Sequence, residues 1–80
     1  MQNVFKRVQS ILAGHLNIDL EKITLETTFA ELEVDSLDLV EMIMTVEEEF
    51  DIEISDEQLV SLQGQGVRQV VEYILQTGEQ

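Results

Sequence analysis

The chain has 80 residues, a length that predicts a single small domain spanning residues 1–80. Seventeen acidic residues against four basic ones give a formal net charge of −13, which argues against nucleic acid or an anionic membrane as partner. Hydrophobic residues make up 44% of the chain and cysteine is absent, which excludes a disordered composition, a disulfide framework and cysteine-based zinc sites.

The first predicted element is an amphipathic helix over residues 3–16, because apolar residues recur there at helical spacing. His15 is expected on its core-facing side as a half-buried packing residue. In the connection that follows, residues 17–33, Asp19 fits a cap for a short turn and Thr28–Glu31 has the spacing of a capping box. Six apolar residues of this connection are expected to lie against the core: Ile18, Leu20, Ile23, Leu25, Phe29 and Leu32.

The strongest helix signal runs from Ser36 to about Phe50, with Asp35 or Ser36 as the N-cap. Apolar residues at positions i, i+3, i+4, i+7 and i+11 predict the face of this helix that fills the core. They are Leu39, Met42, Ile43, Val46 and Phe50.

Two further helices are predicted beyond a loop at residues 51–54. Ser55–Gln58 is a second candidate capping box, opening a short helix that extends through Leu62 and ends at Gly64–Gly66. The last helix spans about residues 67–76, and the tail after it is expected to fray. Its core-facing residues are Val67, Val70, Val71, Ile74 and Leu75. The prediction is an all-α fold, a small three-to-four-helix bundle with a long loop between the first two helices.

The second main helix also carries an apolar strip on the side opposite its core face. At about 100° per residue, Leu37, Val40 and Met44 fall together on that side. An apolar strip with an acidic rim, on a helix whose other face fills the core, indicates a surface kept open for a partner, although isolated exposed apolar residues are also ordinary. The rim consists of Asp35, Asp38, Glu41, Glu47 and Glu48.

Charge is distributed unevenly along the chain. Between Lys22 and Arg68 there are thirteen acidic residues and no basic one, so ion pairing inside this stretch cannot explain them. Such a field on the second main helix would steer a basic partner and raise its association rate.

Catalytic and metal-binding patterns are not found in the sequence. His15 is the only histidine, the four glycines do not form a phosphate-binding loop, and no Asp-x-Asp-x-Asp-Gly calcium loop is present. We therefore expect a protein that is not an enzyme and has no metal site. Charges interrupt every apolar run, and Met1–Arg7 is not followed by the apolar core of a secretory signal, so the expected location is the cytoplasm.

The segment Glu33-Val34-Asp35-Ser36-Leu37-Asp38 resembles the Asp-Ser-Leu motif that opens the second helix of acyl carrier proteins. The resemblance covers essentially the whole chain, and the length, acidity and lack of cysteine agree with it. Its other matching positions are Phe29, Leu32, Val40-Glu41, Glu47–Asp51, Glu53-Ile54, Asp56-Glu57 and Val70–Ile74.

The resemblance implies that Ser36 carries 4′-phosphopantetheine, which a separate transferase moves from coenzyme A onto the serine oxygen. The chain would then hold acyl groups as thioesters on that arm for enzymes of fatty-acid, polyketide or related lipid biosynthesis. A phosphodiester at the first turn of a helix meets free backbone N–H groups and the positive end of the helix dipole. Asp35 and Asp38 would repel a fully docked anionic arm and so keep it available to partner enzymes.

Two further expectations follow from the family. The acidic-rimmed strip would meet basic patches on the transferase and on acyl-processing enzymes, in transient encounters with a carrier that we expect to be a monomer. The acyl chain of such carriers is often sheltered among the helices, although ordinary core packing equally explains the apolar residues that would line it. The candidates are Phe29, Met42, Ile43, Val46, Leu59, Leu62 and Ile74.

The chain departs from the family's pattern at four places. Glu33 stands where the family commonly has glycine, and the stretch after Phe29 is one residue shorter than is usual in fatty-acid carriers. Ile54-Ser55-Asp56 replaces the common Ile-Pro-Asp, and Leu59–Gly66 is longer and lacks the typical Thr-Val pair. None of these involves Ser36. They leave open a primary fatty-acid carrier, a specialised one, or a carrier of D-alanyl or peptidyl groups.

An interaction protein is the alternative from another class. An acidic helical adaptor, or a mimic of nucleic acid that blocks basic sites, would explain the charge without covalent modification. Only a carrier explains Ser36 at a helix start, between two aspartates and beside an apolar strip. A calcium buffer has enough acidic residues but lacks the loop geometry.

Overall fold

The computed structural model describes residues 2–77, which form four α-helices and one turn of 3₁₀ helix at Leu20–Lys22. The helices α1, α2, α3 and α4 span Gln2–Leu16, Ser36–Phe50, Asp56–Gln63 and Val67–Gln76. Helix α1 packs against α2 and α4, and α3 packs against α2. The predicted all-α bundle with a long first loop is confirmed. Residues 78–80, part of the tail expected to fray, lie outside the described residues.

Helix α2 begins and ends where the local sequence provides a cap. The Asp35 carboxylate accepts a hydrogen bond from the Asp38 amide at 2.9 Å, so Asp35 is the N-cap. At the other end Asp51 adopts a left-handed backbone conformation with φ 57°, and its amide donates to the Glu47 carbonyl oxygen. All five residues predicted for the core face are buried: Leu39, Met42, Ile43, Val46 and Phe50.

The core receives apolar side chains from all four helices and from the long loop. Helix α1 contributes Val4, Val8 and Leu12, and the loop contributes Ile23 and Phe29. Helix α4 contributes Val67, Val70, Val71 and Ile74. Helix α3 buries only one residue, which is Leu62.

Three residues expected in or against the core lie at the surface. Leu20 is 49% exposed and Leu75 is 36% exposed, because the first sits on the outward side of the 3₁₀ turn and the second on the edge of the α4 apolar face. His15 is also exposed rather than half-buried, and its Nε2 lies 3.0 Å from the Thr45 hydroxyl of α2. A histidine at the end of α1 thus meets a polar partner on the bundle surface instead of packing in the core.

The long loop is closed by polar contacts in addition to its buried side chains. Gln9 of α1 donates to the carbonyl oxygens of Leu20 and Ile23 at 2.8 Å each. Thr28 and Glu31 exchange the two hydrogen bonds of a capping box, at 3.1 and 3.2 Å, but a turn follows them rather than a helix. Apart from its 3₁₀ turn, the loop is therefore ordered by hydrogen bonds rather than by regular secondary structure.

The loop is joined to the junction between α3 and α4. Thr28 and Gly66 form an isolated antiparallel bridge, and the Val67 amide donates to the Thr27 carbonyl oxygen at 3.0 Å. A Cβ atom at Gly66 would lie 3.0 Å from the Thr28 Cα and closer still to the Thr27 carbonyl oxygen. Glycine is needed here because two backbones approach closely. Within residues 2–77, no helix is long and apolar enough to span a membrane.

Candidate functional site

Ser36 is the first residue of α2 and its side chain is exposed. The capping bond from Asp35 satisfies the Asp38 amide, and the Leu39 amide donates to the Asp35 carbonyl oxygen at 3.0 Å. The Ser36 and Leu37 amides have no acceptor within the described part of the chain, as is usual at the open end of a helix. An exposed hydroxyl thus stands beside two free N–H donors at the positive end of the helix dipole.

A cavity of about 160 Å³ opens next to Ser36. It lies between the start of α2, the end of α3 and the loop that leads into α2. Both apolar and polar side chains line the cavity. The lining residues are Phe29, Val34, Asp35, Ser36, Leu39 and Gln63.

The outer face of α2 is an exposed apolar strip, as the periodicity predicted. Leu37 is 68% and Met44 is 55% exposed, while Val40 between them is half-buried. Asp35, Asp38, Glu41 and Glu48 of the rim are exposed.

Glu47 differs from the other rim acids. It is half-buried, and its carboxylate accepts a hydrogen bond from the Ile54 amide at 2.7 Å. Its backbone oxygen accepts from the Ile52 amide as well, at 3.1 Å. Glu47 therefore holds the loop between α2 and α3, a role that helical periodicity gave no means to predict.

Ion pairs neutralise little of the acidic charge. Within residues 2–77 two ion pairs form: Arg7 with Glu49, at 2.6 Å, and Arg68 with Glu26. Both arginines come from outside the acidic stretch. The Arg7 guanidinium also lies 4.5 Å from the centre of the Phe50 ring. The rim acids beside Ser36 take part in neither pair.

Comparison with known proteins decides the family. The family model of the phosphopantetheine attachment site matches residues 6–74. An acyl carrier protein of Buchnera aphidicola subsp. Schizaphis graminum (strain Sg) is 48% identical over 75 residues, an alignment that covers 92% of each chain. The chain belongs to the acyl carrier protein family. It is a carrier whose prosthetic group is phosphopantetheine.

Most of the residues expected to line the acyl chain are buried in the core. Met42, Ile43, Val46, Leu62 and Ile74 are at most 4% exposed and pack in the core, and Leu59 is half-buried against it. Of the seven expected residues, Phe29 also borders the cavity beside Ser36.

The sequence reasoning missed two residues of the cavity wall, Val34 and Gln63. Val34 directly precedes the Asp-Ser-Leu motif, and this position could have indicated that it lies beside Ser36. Gln63 reaches the cavity from the last residue of α3, which only the packing of α3 against α2 determines.

Proposed function

We propose that Ser36 is the residue that carries 4′-phosphopantetheine and that this single acyl-carrier-like domain delivers acyl thioesters to enzymes of fatty-acid, polyketide or related lipid biosynthesis. The observation that supports the proposal is the exposed Ser36 hydroxyl at the start of α2, inside the stretch matched by the attachment-site family model. When bound, the arm supplies the thiol that a chain without cysteine lacks.

The residues around Ser36 suit a phosphodiester that is held loosely. The free Ser36 and Leu37 amides favour the negative charge, since the N-terminus of a helix binds anions. The exposed carboxylates of Asp35 and Asp38 oppose it at short range. The balance would leave the arm available to partner enzymes.

The partner surface is the apolar strip of α2 together with its acidic rim. Leu37, Val40 and Met44 supply a small apolar contact, and Asp35, Asp38, Glu41 and Glu48 supply charge for a basic patch on the transferase and on acyl-processing enzymes. Glu47 adds to the negative electrostatic field of this surface, although its carboxylate also accepts a hydrogen bond from the Ile54 amide. A small interface suits a carrier that must dissociate after each step.

We further propose that the protein itself is not an enzyme and that it acts as a monomer in the cytoplasm. Within residues 2–77, no group of three or more histidine, aspartate or glutamate side chains is placed to hold a metal ion.

The test is the intact mass of the protein after incubation with coenzyme A, magnesium and a broad-specificity phosphopantetheinyl transferase. We expect a gain of one phosphopantetheine on the wild type and none on Ser36→Ala. Ser61→Ala is the matched control, because Ser61 is also an exposed serine on a helix, and it should load as the wild type does. Folding of each variant is checked by circular dichroism.

Absence of a mass gain on folded, unmodified wild-type protein would contradict the proposal. The acidic adaptor that binds basic partners without modification would then be favoured. Loading at a serine other than Ser36 would contradict the assignment of the site alone.

A further inference from the structure

Two of the three methionines of the chain lie on opposite faces of α2. Met42 is 0% exposed in the core, whereas Met44 is 55% exposed. The third, Met1, lies outside the described residues. An oxidant in solution therefore meets the Met44 side chain in the folded protein, but it meets Met42 only when the core opens.

Met44 belongs to the apolar strip of α2 and not to the core. It is absent both from the core and from the layer of half-buried apolar residues packed against the core. Its neighbours on the strip are Leu37, which is 68% exposed, and the half-buried Val40. A change in the polarity of Met44 would therefore alter the strip while leaving the packing of the bundle intact.

The acidic rim around Met44 determines which oxidants approach it. Glu41 and Glu48 lie three residues before and four residues after Met44, positions that share one side of a helix. Both are exposed, and neither takes part in an ion pair within residues 2–77. Their negative field keeps anions away but does not oppose a neutral molecule such as hydrogen peroxide.

From this arrangement we propose that Met44 is a site of reversible oxidation, at which hydrogen peroxide converts the thioether to a sulfoxide and thereby weakens docking on the strip. A lone pair of the sulfur attacks one peroxide oxygen and the O–O bond breaks. The proton of the transferred oxygen passes to the leaving oxygen, which departs as water. The sulfur is oxidised by two electrons and the peroxide is reduced.

The oxidation changes docking because it replaces an apolar contact with a polar group. Methionine sulfoxide reductases restore the thioether, so the change can be reversed. The effect on docking rests on the proposed function, in which the strip meets the transferase and acyl-processing enzymes. The selective oxidation of Met44 does not rest on it, because it follows from exposure alone.

The first measurement is the rate at which each methionine is oxidised. The unloaded protein, which has no thiol because it has no cysteine, is treated with hydrogen peroxide and sampled over time. Peptide mass mapping assigns each added oxygen to a methionine. We expect Met44 to be oxidised at least about tenfold faster than Met42, since Met42 reacts only through opening of the core.

The second measurement is the loading kinetics of protein that is oxidised at Met44 and intact at Met42. After removal of peroxide, it is loaded from coenzyme A by a broad-specificity phosphopantetheinyl transferase. We expect the KM for the carrier to rise about three- to tenfold with kcat unchanged, because part of the apolar contact of a methionine is lost. The urea unfolding midpoint should stay the same, and the reductases for both sulfoxide epimers should return KM to its starting value.

Three variants assign the effect to Met44. Met44→Leu keeps an apolar side chain without an oxidisable sulfur, so its KM should be equal before and after peroxide. Met44→Gln introduces a neutral polar side chain and should have a raised KM without any oxidation. Met42→Leu is the matched control, a substitution of similar volume in the core, and it should retain the full response to peroxide.

The possible results separate this inference from the proposed function. Equal oxidation rates at Met42 and Met44 would overturn the assignment of the site. An unchanged KM after oxidation of Met44, or the same rise in peroxide-treated Met44→Leu, would overturn the effect on docking. Failure of the untreated wild type to load would overturn the proposed function and the docking effect with it, whereas selective oxidation of Met44 would stand.

Discussion

Helices α2 and α3 begin in the same way but are held in place differently. Asp35 caps α2 by accepting from the Asp38 amide at 2.9 Å, and Ser55 caps α3 by accepting from the Gln58 amide at 3.2 Å. Helix α2 buries five residues, whereas α3 buries only Leu62. A cap specifies where a helix begins, but the buried face determines how firmly the helix is held.

The position of α3 depends on contacts at its two ends. Before it, the Glu47 carboxylate binds the Ile54 amide and the Tyr73 hydroxyl donates to the Glu53 carbonyl oxygen at 3.2 Å. After it, Gly66 is bridged to the long loop. Few buried apolar contacts imply low local stability, so we expect α3 to open more readily than α2.

The largest expected effect is the difference in unfolding free energy between a substitution on the core face of α2 and one on its outer face. Met42 is fully buried and Met44, half a turn away, is 55% exposed. Met42→Ala should lower the free energy of unfolding by about 2–5 kcal/mol, through lost apolar contact and an unfilled cavity. Met44→Ala should change it by no more than about 0.5 kcal/mol. Urea unfolding of both variants measures this, and similar midpoints for the two would contradict the assignment of the faces.

The next effect concerns the junction after α3. Gly66→Ala should destabilise the protein by about 1–3 kcal/mol, because the added methyl group overlaps the backbone of the long loop. Gly64→Ala is the control, since its nearest atom would be the Ser61 carbonyl oxygen at 4.0 Å, and it should be neutral or stabilising by up to about 1 kcal/mol. Thermal unfolding compares them, and a tolerated Gly66→Ala would show that the bridge is dispensable.

The contact before α3 should have a smaller effect. Glu47→Ala leaves the Ile54 amide without its acceptor, and we expect a loss of about 1–2 kcal/mol. Hydrogen exchange at the Ile54 amide should accelerate, since this bond closes the loop before α3. Glu48→Ala removes the exposed carboxylate of the next residue and should leave the exchange rate of the Ile54 amide unchanged. Equal exchange in the two variants would mean that the carboxylate does not hold the loop.

The smallest effect lies in the segment leading into α2 and has the opposite sign. Glu33 has φ 57°, a conformation that costs a non-glycine residue about 1–2 kcal/mol. Glu33→Gly should therefore stabilise the protein by up to about 1 kcal/mol after the greater chain entropy of glycine is subtracted. Ala30→Gly, in the same turn but without a positive φ, should destabilise it slightly. A lower unfolding midpoint for Glu33→Gly would show that another contact of Glu33 outweighs its backbone strain.

The sequence by itself determined the helices and the position of Ser36. The bounds of α2 and α4 agree with those predicted from periodicity and caps, because a cap bond and a helical turn involve residues only three or four positions apart. The five buried residues of α2 and the exposure of Leu37 and Met44 follow from the same local geometry. The Asp-Ser-Leu motif indicated the family that the comparisons confirmed.

Only the tertiary structure decided which surfaces meet. The exposure of His15 and Leu20, the hydrogen bond between Glu47 and Ile54, and the close approach at Gly66 depend on how distant segments pack. The cavity beside Ser36 likewise joins a loop, the start of α2 and the end of α3. Periodicity reports which side of a helix is apolar, but it contains no information about the element that the side will face. The expected acyl-chain lining was drawn from apolar residues of the bundle, and of these Phe29 borders the cavity beside Ser36.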